Sequence, residues 1–476
     1  MNEAGRLECA YHGWEFTPAG DCVAVPQAKD KDYEGRACNS ERACLETFPC
    51  AVRQGLLFVK PRALRAGEEP DFDAIPLVDE VEENPEEWVM STVVRDMPMD
   101  YSTLLENTMD VSHVPFTHHA TVSKRANACA VELTVTDKSV EGFNGVWASG
   151  PRNGYYGPQT TRFAKPGLMV HALRCYEKRG FDTLTVVYAV PVAPGKSRLI
   201  SRFPFRFKSA VPRTLFKIIP EWSSHPNANT TLEDDQIFLH KGEREVLAAA
   251  KEVASGADGS VPLGRLYYMP TTADRFVTGF REWLEDYCGG GPFGTVGGGI
   301  PNELGRQQTV DELMDRFHSH TAICKSCSAA YENLSRARVA LETAGILLAL
   351  SAGLVAAVAL TAASGGTVVT PAAAPASGFV AKAVYGAGRL LLLGLQVLAP
   401  PGLPPPLLMA RAGVLFGMAA MCRAGMAAVD RYKVRFVKGE PVPPRNAEGL
   451  RKGKVAKRVT LPVGGETWRG LAKDSN

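Results

Sequence analysis

Two histidines and several polar side chains lie close together between Glu106 and His119, a stretch that reads ENTMDVSHVPFTHH. His113 and His118 are five positions apart, and Asn107 and Asp110 precede them. Non-haem iron sites use two histidines and one carboxylate on one side of the metal, which leaves the other side open for dioxygen. The stretch predicts such a site with His113 and His118 as ligands. The alternative is a polar helix end whose histidines make only hydrogen bonds.

The backbone between the two histidines decides whether their side chains can meet. On an unbroken helix, residues five positions apart point in different directions. Pro115 lies between them and has no N–H to give to a helix, so we expect the helix to kink or end there. Asp110 is three residues before His113, and we expect the two to share a helix face.

A second set of chemically capable residues lies near the start of the chain, in the string CAYHGWEF. It places Cys9 two residues before His12, and Gly13 permits a tight turn there. A Rieske cluster has two cysteines on one iron and two histidines on the other, so Cys9 and His12 are candidate ligands of a [2Fe-2S] cluster. The other Cys-x-His loop is missing, since no histidine follows two residues after Cys22, Cys38, Cys44 or Cys50. We expect an N-terminal truncation; loss of the cluster is the alternative.

Length and composition exclude several classes of protein. A chain of 476 residues is long enough for two or three domains with real cores. A net charge of +2 with 22% charged residues is not the signature of a nucleic-acid-binding protein. The 11 cysteines are scattered, which argues against a small disulfide-stapled secreted protein. Residues 1–8 contain neither a signal peptide nor a transit peptide.

Both strands and helices are predicted to position these residues. Residues 130–207 are rich in Val, Thr, Tyr and Phe, and Thr183–Pro191 with Ser197–Phe207 predicts a hairpin. Phe276–Tyr287 predicts an amphipathic helix with Asp274 as its cap. Thr230 and Thr231 are N-cap candidates for a further helix.

The carboxylate that a metal site requires has several candidates. Glu233, Asp234 and Asp235 follow the two threonines and precede an apolar run. Acidic residues in the first turn of a helix are also ordinary partners of the helix dipole. The residues alone therefore leave the choice of ligand open.

Two cysteines further along, Cys324 and Cys327, have the spacing of a redox pair. A reduced surface pair and half of a zinc site are the alternatives. No second cysteine pair at zinc-ligand spacing follows them, which argues against zinc.

The C-terminal part predicts a membrane anchor. Thr343–Ala363 is a stretch of 21 residues without a charge, long enough as a helix to cross a hydrocarbon core of about 30 Å. Pro406–Ala428 predicts a returning span in which Arg411 snorkels, and Tyr385–Leu398 predicts an interfacial helix. The basic tail after these spans suits a position beside anionic headgroups.

The combination of CAYHGWEF with Asn107-x-x-Asp110-x-x-His113-x4-His118 resembles the Rieske non-haem iron oxygenases, in their plant and algal pheophorbide a oxygenase branch. The strings LEDDQIFLHKGERE, YYMPTTADRFVTGFREWL and CKSCSAAY carry the same resemblance, which runs to about residue 435. The implied fold class is α+β. It comprises a partial Rieske β-domain, an antiparallel sheet with helices around a mononuclear iron, and a C-terminal α-helical transmembrane anchor.

We predict five segments on this basis. They are a partial Rieske domain without its first ligand loop (1–65), a catalytic iron domain (66–290), a linker with the cysteine pair (291–335), an anchor of two transmembrane helices (336–430) and a basic tail (431–476).

The resemblance also implies roles for individual residues. The third iron ligand is the aspartate before Gln-Ile-Phe-Leu-His, which selects Asp235 and leaves Asp234 as the fallback. Asp110 bridges an iron-ligand histidine to a cluster histidine of a neighbouring subunit, which holds the imidazoles and carries electrons. His12 of one subunit then faces Asp110 of another, which implies a homotrimer. Asn107 is a polar group near the iron.

The implied function is a membrane-anchored, ferredoxin-dependent monooxygenase in a chloroplast membrane. Its substrate would be pheophorbide a or a related chlorophyll-derived tetrapyrrole, oxidised with O2 during chlorophyll breakdown. Cys324 and Cys327 would form a disulfide switch sensitive to thioredoxin. One alternative is a sister Rieske oxygenase that hydroxylates a later chlorophyll catabolite. The other is a cluster-less membrane redox sensor that uses Cys324 and Cys327.

Overall fold

The computed structural model describes residues 1–63, 68–119, 121–254, 267–290, 303–365 and 397–440. Within these ranges the protein has one large antiparallel sheet, two small sets of strands and helices that include two long ones near the C-terminus. The predicted α+β class is confirmed.

The N-terminal part is built from short antiparallel strands. β1 (Leu7–Glu8), β2 (Glu15–Phe16) and β3 (Cys22–Ala24) form one sheet, and β4 (Cys50–Arg53) pairs with β5 (Leu56–Val59). A small core beneath the first sheet contains Phe16, Cys22, Val25 and Ala43. These strands hold the loop that carries Cys9 and His12 at an exposed edge of the protein.

The central sheet has seven antiparallel strands in the order β6-β12-β11-β10-β9-β8-β7. The strands are β6 (Val89–Met97), β7 (Leu133–Ser139), β8 (Gly142–Trp147), β9 (Gln159–Ala164), β10 (Leu168–Cys175), β11 (Phe181–Ala193) and β12 (Lys196–Phe207). The predicted hairpin is present as β11 and β12, with Tyr188 opposite Ile200. Gly195 makes its turn with φ of 71°, a conformation that glycine adopts without strain.

Side chains alternate between the two faces of this sheet. Met169 and Phe163 belong to a core that also contains Leu105 and Phe280 from helices on the same face. Leu168 points the other way, into a second core. The helices Tyr101–Met109 and Arg275–Cys288 are therefore held on the face that carries the candidate iron site.

The helices, in chain order, are Lys31–Cys38, Asp79–Glu83, Tyr101–Met109, Val114–Thr117, Pro151–Gly154, Tyr176–Arg179, Ala210–Ile218, His225–Ala254, Arg275–Cys288, Val310–Leu313, Lys325–Ala363 and Pro405–Val437. We call His225–Ala254 the core helix, Lys325–Ala363 the first anchor helix and Pro405–Val437 the second anchor helix. A π-helical turn covers Phe317–Thr321.

Two predicted helix caps were wrong. The core helix begins at His225, so Thr230 and Thr231 lie inside it. Their hydroxyls bond to carbonyls four residues back, as threonine does within a helix. Asp274 precedes the helix Arg275–Cys288 but makes no capping bond to it, because its carboxylate accepts from the backbone and hydroxyl of Thr271.

The two anchor helices pack along each other, with Val355 and Ala359 of the first against Leu408 and Ala412 of the second. Both are long and apolar enough to cross a membrane. The predicted spans Thr343–Ala363 and Pro406–Ala428 lie within them. Most of the interfacial helix predicted at Tyr385–Leu398, and the tail after residue 440, lie outside the described residues.

The segment predicted as a linker is packed against the rest of the protein where the structure describes it. Leu304 packs on Leu247 of the core helix, and Arg316 and His320 are buried. The first anchor helix begins at Lys325 and passes position 335 without a break. The five predicted segments remain a prediction, and within residues 303–324 Leu304 and Arg316 contact the core helix and His320 contacts strand β6.

Candidate iron centre

An interruption between two helices brings the two predicted histidines together. The helix Tyr101–Met109 ends before them, and a one-turn helix, Val114–Thr117, follows. His113 precedes its first residue and His118 follows its last. The expected break is therefore present, but earlier than predicted. Pro115 stands near the start of the second helix, where its missing N–H costs nothing.

The two imidazoles meet a carboxylate from the core helix. His118 Nε2 lies 3.2 Å from His113 Nε2 and 3.2 Å from Asp235 Oδ2. The distance from His113 Nε2 to Asp235 Oδ2 is 3.8 Å. Nitrogen and carboxylate ligands lie about 2.0–2.2 Å from a bound zinc ion, and atoms spaced as these are can share one metal of similar size. The three residues fit a mononuclear iron with a ligand set of two histidines and one carboxylate.

Asp234 and Asp235 take different positions at this site. Asp235 faces the Nε2 atoms of both histidines, whereas Asp234 Oδ2 lies 3.4 Å from Nδ1 of His118. Thr121 also donates to Asp234, at 2.8 Å. Adjacent residues on a helix point about 100° apart, so one can face the metal position and the other the back of the imidazole. The sequence stretch did not reveal Thr121, which lies beyond the histidine pair.

The electrostatics of His118 follow from these two carboxylates. Burial alone would lower its pKa, but hydrogen bonds to Asp234 and Asp235 raise the pKa of His118 to about 9. The pocket around this imidazole thus favours positive charge. A bound metal cation would replace the proton on Nε2 and meet the same carboxylates.

The loop with Cys9 and His12 has the shape expected of half a cluster site. Gly13 has φ of 71° and donates to the carbonyl of Cys9 at 2.8 Å, which closes the predicted turn. Backbone hydrogen bonds from His12 and Tyr11 lower the pKa of Cys9, which favours the thiolate that an iron–sulfur cluster requires. Both predicted ligands are exposed. The loop fits two of the four ligands of a Rieske cluster.

Two family models match parts of this chain. Residues 1–49 match the family model "Rieske [2Fe-2S] domain", and residues 163–252 match "Pheophorbide a oxygenase". The chain is 32% identical over 367 residues to pheophorbide a oxygenase, chloroplastic, of Arabidopsis thaliana. It is 31% identical over 368 residues to the protein of that name in Oryza sativa subsp. japonica.

The chain belongs to the pheophorbide a oxygenase-like family of Rieske oxygenases.

Each of those two alignments covers 74% of this chain, which spans 66% of the length of the relative. The chain is also 29% identical over 378 residues to flavonoid 8-hydroxylase 2, chloroplastic, of Ocimum basilicum, an alignment that covers 75% of this chain and 67% of that protein. The predicted enzyme class, a Rieske non-haem iron oxygenase, is confirmed by family membership. Membership also implies the two predicted cofactors, a [2Fe-2S] cluster and a mononuclear iron.

Asp110 and Ser112 form the polar surroundings of His113. Ser112 donates to Oδ1 of Asp110 through its backbone N–H, at 2.8 Å, and its hydroxyl, at 2.6 Å. Oδ2 of Asp110 lies 3.6 Å from Nδ1 of His113, a nitrogen that is buried without a hydrogen bond among the described residues. Burial opposes ionisation of Asp110, but His113 and Ser112 together lower its pKa.

The shared helix face predicted for Asp110 and His113 was wrong. Asp110 is the C-cap of the helix Tyr101–Met109 and has an extended backbone. The bonds from Ser112 turn the chain after it, and this turn, rather than helical spacing, brings its carboxylate toward His113. Asn107 remains within that helix and donates from Nδ2 to Asp235 Oδ2 at 3.2 Å, so it contacts the carboxylate at the metal position.

His171, on strand β10, supports the site from beneath and was missed in the sequence. Its Nε2 lies 2.8 Å from the carbonyl of Thr108, and its Nδ1 lies 2.7 Å from the hydroxyl of Thr161. Burial lowers the pKa of His171 to about 4, so the imidazole is neutral. A neutral ring can donate to Thr108 and accept from Thr161, which fixes the end of the helix before Asp110. A lone histidine in a strand gives no sign of this role.

A buried ion network ties the core helix to its neighbours. Glu233 Oε1 accepts from Arg95 Nη1 at 2.9 Å and from Arg316 Nε at 2.6 Å. Arg95 belongs to strand β6, and Arg316 also donates to the carbonyl of Arg435 in the second anchor helix. A Cβ atom on Gly439 would overlap the Glu233 carboxylate. Glu233, which the sequence left as a candidate ligand, is therefore part of an ion network between elements.

The predicted redox cysteines lie at the start of the first anchor helix. Cys324 precedes its first residue, Cys327 is in its first turn, and both are free thiols. A hydrogen bond from Cys327 lowers the pKa of Cys324, and His225 and His320 lower it further. The redox role remains a prediction. The lack of a second cysteine pair does not exclude zinc, because His225 and His320 lie beside Cys324 and Cys327.

Proposed function

We propose that this protein is a membrane-anchored monooxygenase that uses O2 and ferredoxin electrons to oxidise pheophorbide a or a related chlorophyll-derived tetrapyrrole. The observation that carries the proposal is the convergence of His113, His118 and Asp235, whose ligand atoms all lie within 4.8 Å of one another. They come from two separate elements, and each is buried or partly buried. This is the donor set of iron sites that activate oxygen.

His113, His118 and Asp235 would hold the iron, and an iron bound there supplies the activation of dioxygen. The protein supplies orientation. Asp234 sits behind His118 and fixes the direction of its ring, as carboxylates behind metal-bound histidines do. Asn107 holds the Oδ2 atom of Asp235 toward the two histidines.

Electrons would reach this site through Asp110. Its carboxylate lies against His113 on the side away from Asp235, since it faces Nδ1 of the ring. Cys9 and His12 are exposed, as ligands of a cluster that meets another subunit would be. We propose a homotrimer in which His12 of one subunit approaches Asp110 of the next. A carboxylate with a lowered pKa suits this bridge, because it stays ionised between two imidazoles.

The substrate and location rest on the relatives and the anchor. Two relatives are named pheophorbide a oxygenase, and all three described above are named chloroplastic. We propose that the protein is anchored in a chloroplast membrane, from which a lipophilic tetrapyrrole could enter the site. The relative named flavonoid 8-hydroxylase favours a second candidate, a sister oxygenase with another aromatic substrate. A later chlorophyll catabolite is a further substrate of that kind.

The test uses protein expressed from its complete gene, reconstituted with iron, ferredoxin and ferredoxin reductase. Under 18O2, pheophorbide a should gain one labelled oxygen atom, and a flavone should gain none. His113→Ala should lose the mononuclear iron and all product. His318→Ala is the matched control, because His318 is exposed and pairs only locally with Asp315.

Two results would contradict the proposal. Product formation by His113→Ala would exclude the ligand assignment. The absence of a reducible [2Fe-2S] signal in electron paramagnetic resonance would exclude the oxygenase and favour the membrane redox sensor. Labelling of the flavone alone would keep the oxygenase and replace its substrate.

A further inference from the structure

A second group of metal-ligand side chains meets where the first anchor helix begins. It consists of His225, His320, Cys324 and Cys327, and we call it the junction cluster. His225 is the first residue of the core helix, and His320 belongs to the π-helical turn. The two cysteines come from the start of the first anchor helix. Three elements that are separate in the sequence therefore each contribute at least one ligand atom to the junction cluster.

The spacing of the donor atoms suits a single tetrahedral ion. Cys327 Sγ lies 3.3 Å from Nδ1 of His225 and 3.3 Å from Nε2 of His320. Cys324 Sγ lies 3.5 Å from Nδ1 of His225. Zinc bonds of about 2.3 Å to sulfur and 2.0–2.1 Å to nitrogen put adjacent donors of a tetrahedron about 3.6 Å apart. All four atoms lie within 4.8 Å of one another.

The hydrogen bonds around His320 orient its ring as in a metal ligand. Nδ1 of His320 lies 2.7 Å from the carbonyl of Val94 on strand β6, an atom that can only accept. The proton is therefore on Nδ1, and the lone pair of Nε2 points at the thiols. A ligand histidine that donates its other N–H to a carbonyl is the usual arrangement at metal sites.

The junction cluster is also largely buried. His225, His320 and Cys327 are buried, and Cys324 is partly buried. Trp222, Tyr331 and Phe436 of the second anchor helix pack with the two cysteines in one apolar cluster. Two thiolates would neutralise a divalent cation, so the loaded site would carry no net charge in this apolar setting.

We infer that the junction cluster is a structural Zn²⁺ site of the Cys2His2 type. Four protein ligands leave no position for water or substrate, which is the property of structural rather than catalytic zinc. The ion would join the first anchor helix to the core helix. Asp235 is ten residues after His225 on that helix, about 15 Å along its axis at 1.5 Å per residue. The zinc therefore fixes the membrane anchor to the element that carries the iron-site carboxylate.

A disulfide pair alone leaves the two histidines unexplained. When Cys324 and Cys327 are oxidised to a disulfide, neither sulfur keeps a proton to donate to Nε2 of His320, whose own proton is on Nδ1. Buried acceptors without donors cost free energy. A metal ion satisfies the thiolates and the imidazoles together.

The experiment measures metal rather than turnover, so its result is independent of the proposed function. Protein is expressed with zinc in the medium, purified without chelators and assayed for zinc by mass spectrometry. We expect one zinc per chain, with X-ray absorption showing two sulfur and two nitrogen neighbours. His320→Ala and Cys327→Ser should each lose that zinc, and Cys288→Ser, at an exposed cysteine, should keep it.

The unaltered protein provides a measurement that does not depend on the folding of variants. Refolded or exchanged with Co²⁺, it should show the intense sulfur-to-cobalt charge-transfer absorption of a two-thiolate site. The inference is overturned by wild-type protein without zinc, or by equal zinc in His320→Ala and the wild type. A Cys324–Cys327 disulfide in zinc-supplied protein would also overturn it, in favour of the redox pair.

Discussion

The core helix carries parts of two buried ligand clusters that differ in number and kind of donor. The candidate iron centre takes Asp235 from it and two histidines from one loop, which makes three donors. The junction cluster takes His225 from the same helix and adds one histidine and two cysteines. Three nitrogen and oxygen donors suit a metal that must also bind oxygen. Four donors with two sulfurs suit a metal that only holds the structure together.

The difference extends to the groups behind the ligands. At the iron centre the groups behind the ligands are charged, with Asp234 at His118 and Asp110 at His113. At the junction cluster His320 faces a neutral backbone carbonyl, and aromatic and aliphatic side chains pack with the two cysteines. At both sites the group behind a histidine fixes the orientation of its ring, and at the iron site that group also carries a negative charge. We therefore expect damage at the iron centre to remove activity and damage at the junction cluster to remove stability.

The largest expected effect is complete loss of turnover in Asp235→Asn. The amide cannot supply the anionic ligand that completes the site, so we expect no iron beyond that of the [2Fe-2S] cluster and no detectable product. The midpoint of thermal unfolding should move little, because we expect the iron to serve catalysis rather than to hold elements of the fold together. Iron content, product formation and unfolding are measured on the same preparation. A variant that keeps its mononuclear iron would contradict the assignment of Asp235 as a ligand.

The next effect concerns Glu233, which lies on the core helix between the two clusters. Glu233→Gln leaves Arg95 and Arg316 buried without their carboxylate, and removing one partner of a buried ion pair costs about 3–5 kcal/mol. Denaturant unfolding should show that loss. Glu177→Gln is the control, since the exposed pair of Glu177 with Lys208 contributes about 0–1 kcal/mol. Equal stability of the two variants would contradict the network.

A smaller effect is expected for Asp234→Asn, which sharpens the distinction between the neighbouring aspartates. The amide keeps the shape behind His118 but loses the charge, and such changes lower metal affinity or activity by about 10–100-fold. Iron titration should therefore still reach one ion per site at higher iron concentration. If Asp234→Asn instead abolished iron binding as Asp235→Asn does, the assignment of the two carboxylates would need to be exchanged.

The smallest effect is a dependence of stability on pH that comes from His171. Its pKa of about 4 in the folded protein lies below the ordinary 6.5, so the unfolded chain takes up the proton first as pH falls. The stability contributed by neutral His171 is complete above pH 6.5 and is lost between 6.5 and 4, about 1 kcal/mol of it by pH 5.5. His171→Gln should show a flatter pH dependence of unfolding.

Sequence reasoning reached the iron centre well because its signals are local. His113, His118 and Asn107 lie in one short stretch, and Pro115 predicted an interruption of the helix there, although the helix ends before it, at Met109. It failed where a contact joins distant parts of the chain. Thr121 and His171 support the site, but nothing in their neighbours shows which side chain they will meet. The start of the core helix was misplaced because threonines are common both at caps and inside helices.

By itself the sequence indicated the two histidines and the candidate carboxylates of the iron site, the cysteine pair Cys324 and Cys327, the half-motif of Cys9 and His12, and two apolar stretches of membrane-spanning length. Those follow from spacing and composition along the chain. Only the tertiary structure decided that Asp235 faces the two histidines while Asp234 stands behind one. Only it placed His225 and His320 against Cys324 and Cys327. The reason is geometric, because donors about a hundred residues apart share a metal only after the core helix and the anchor have packed together.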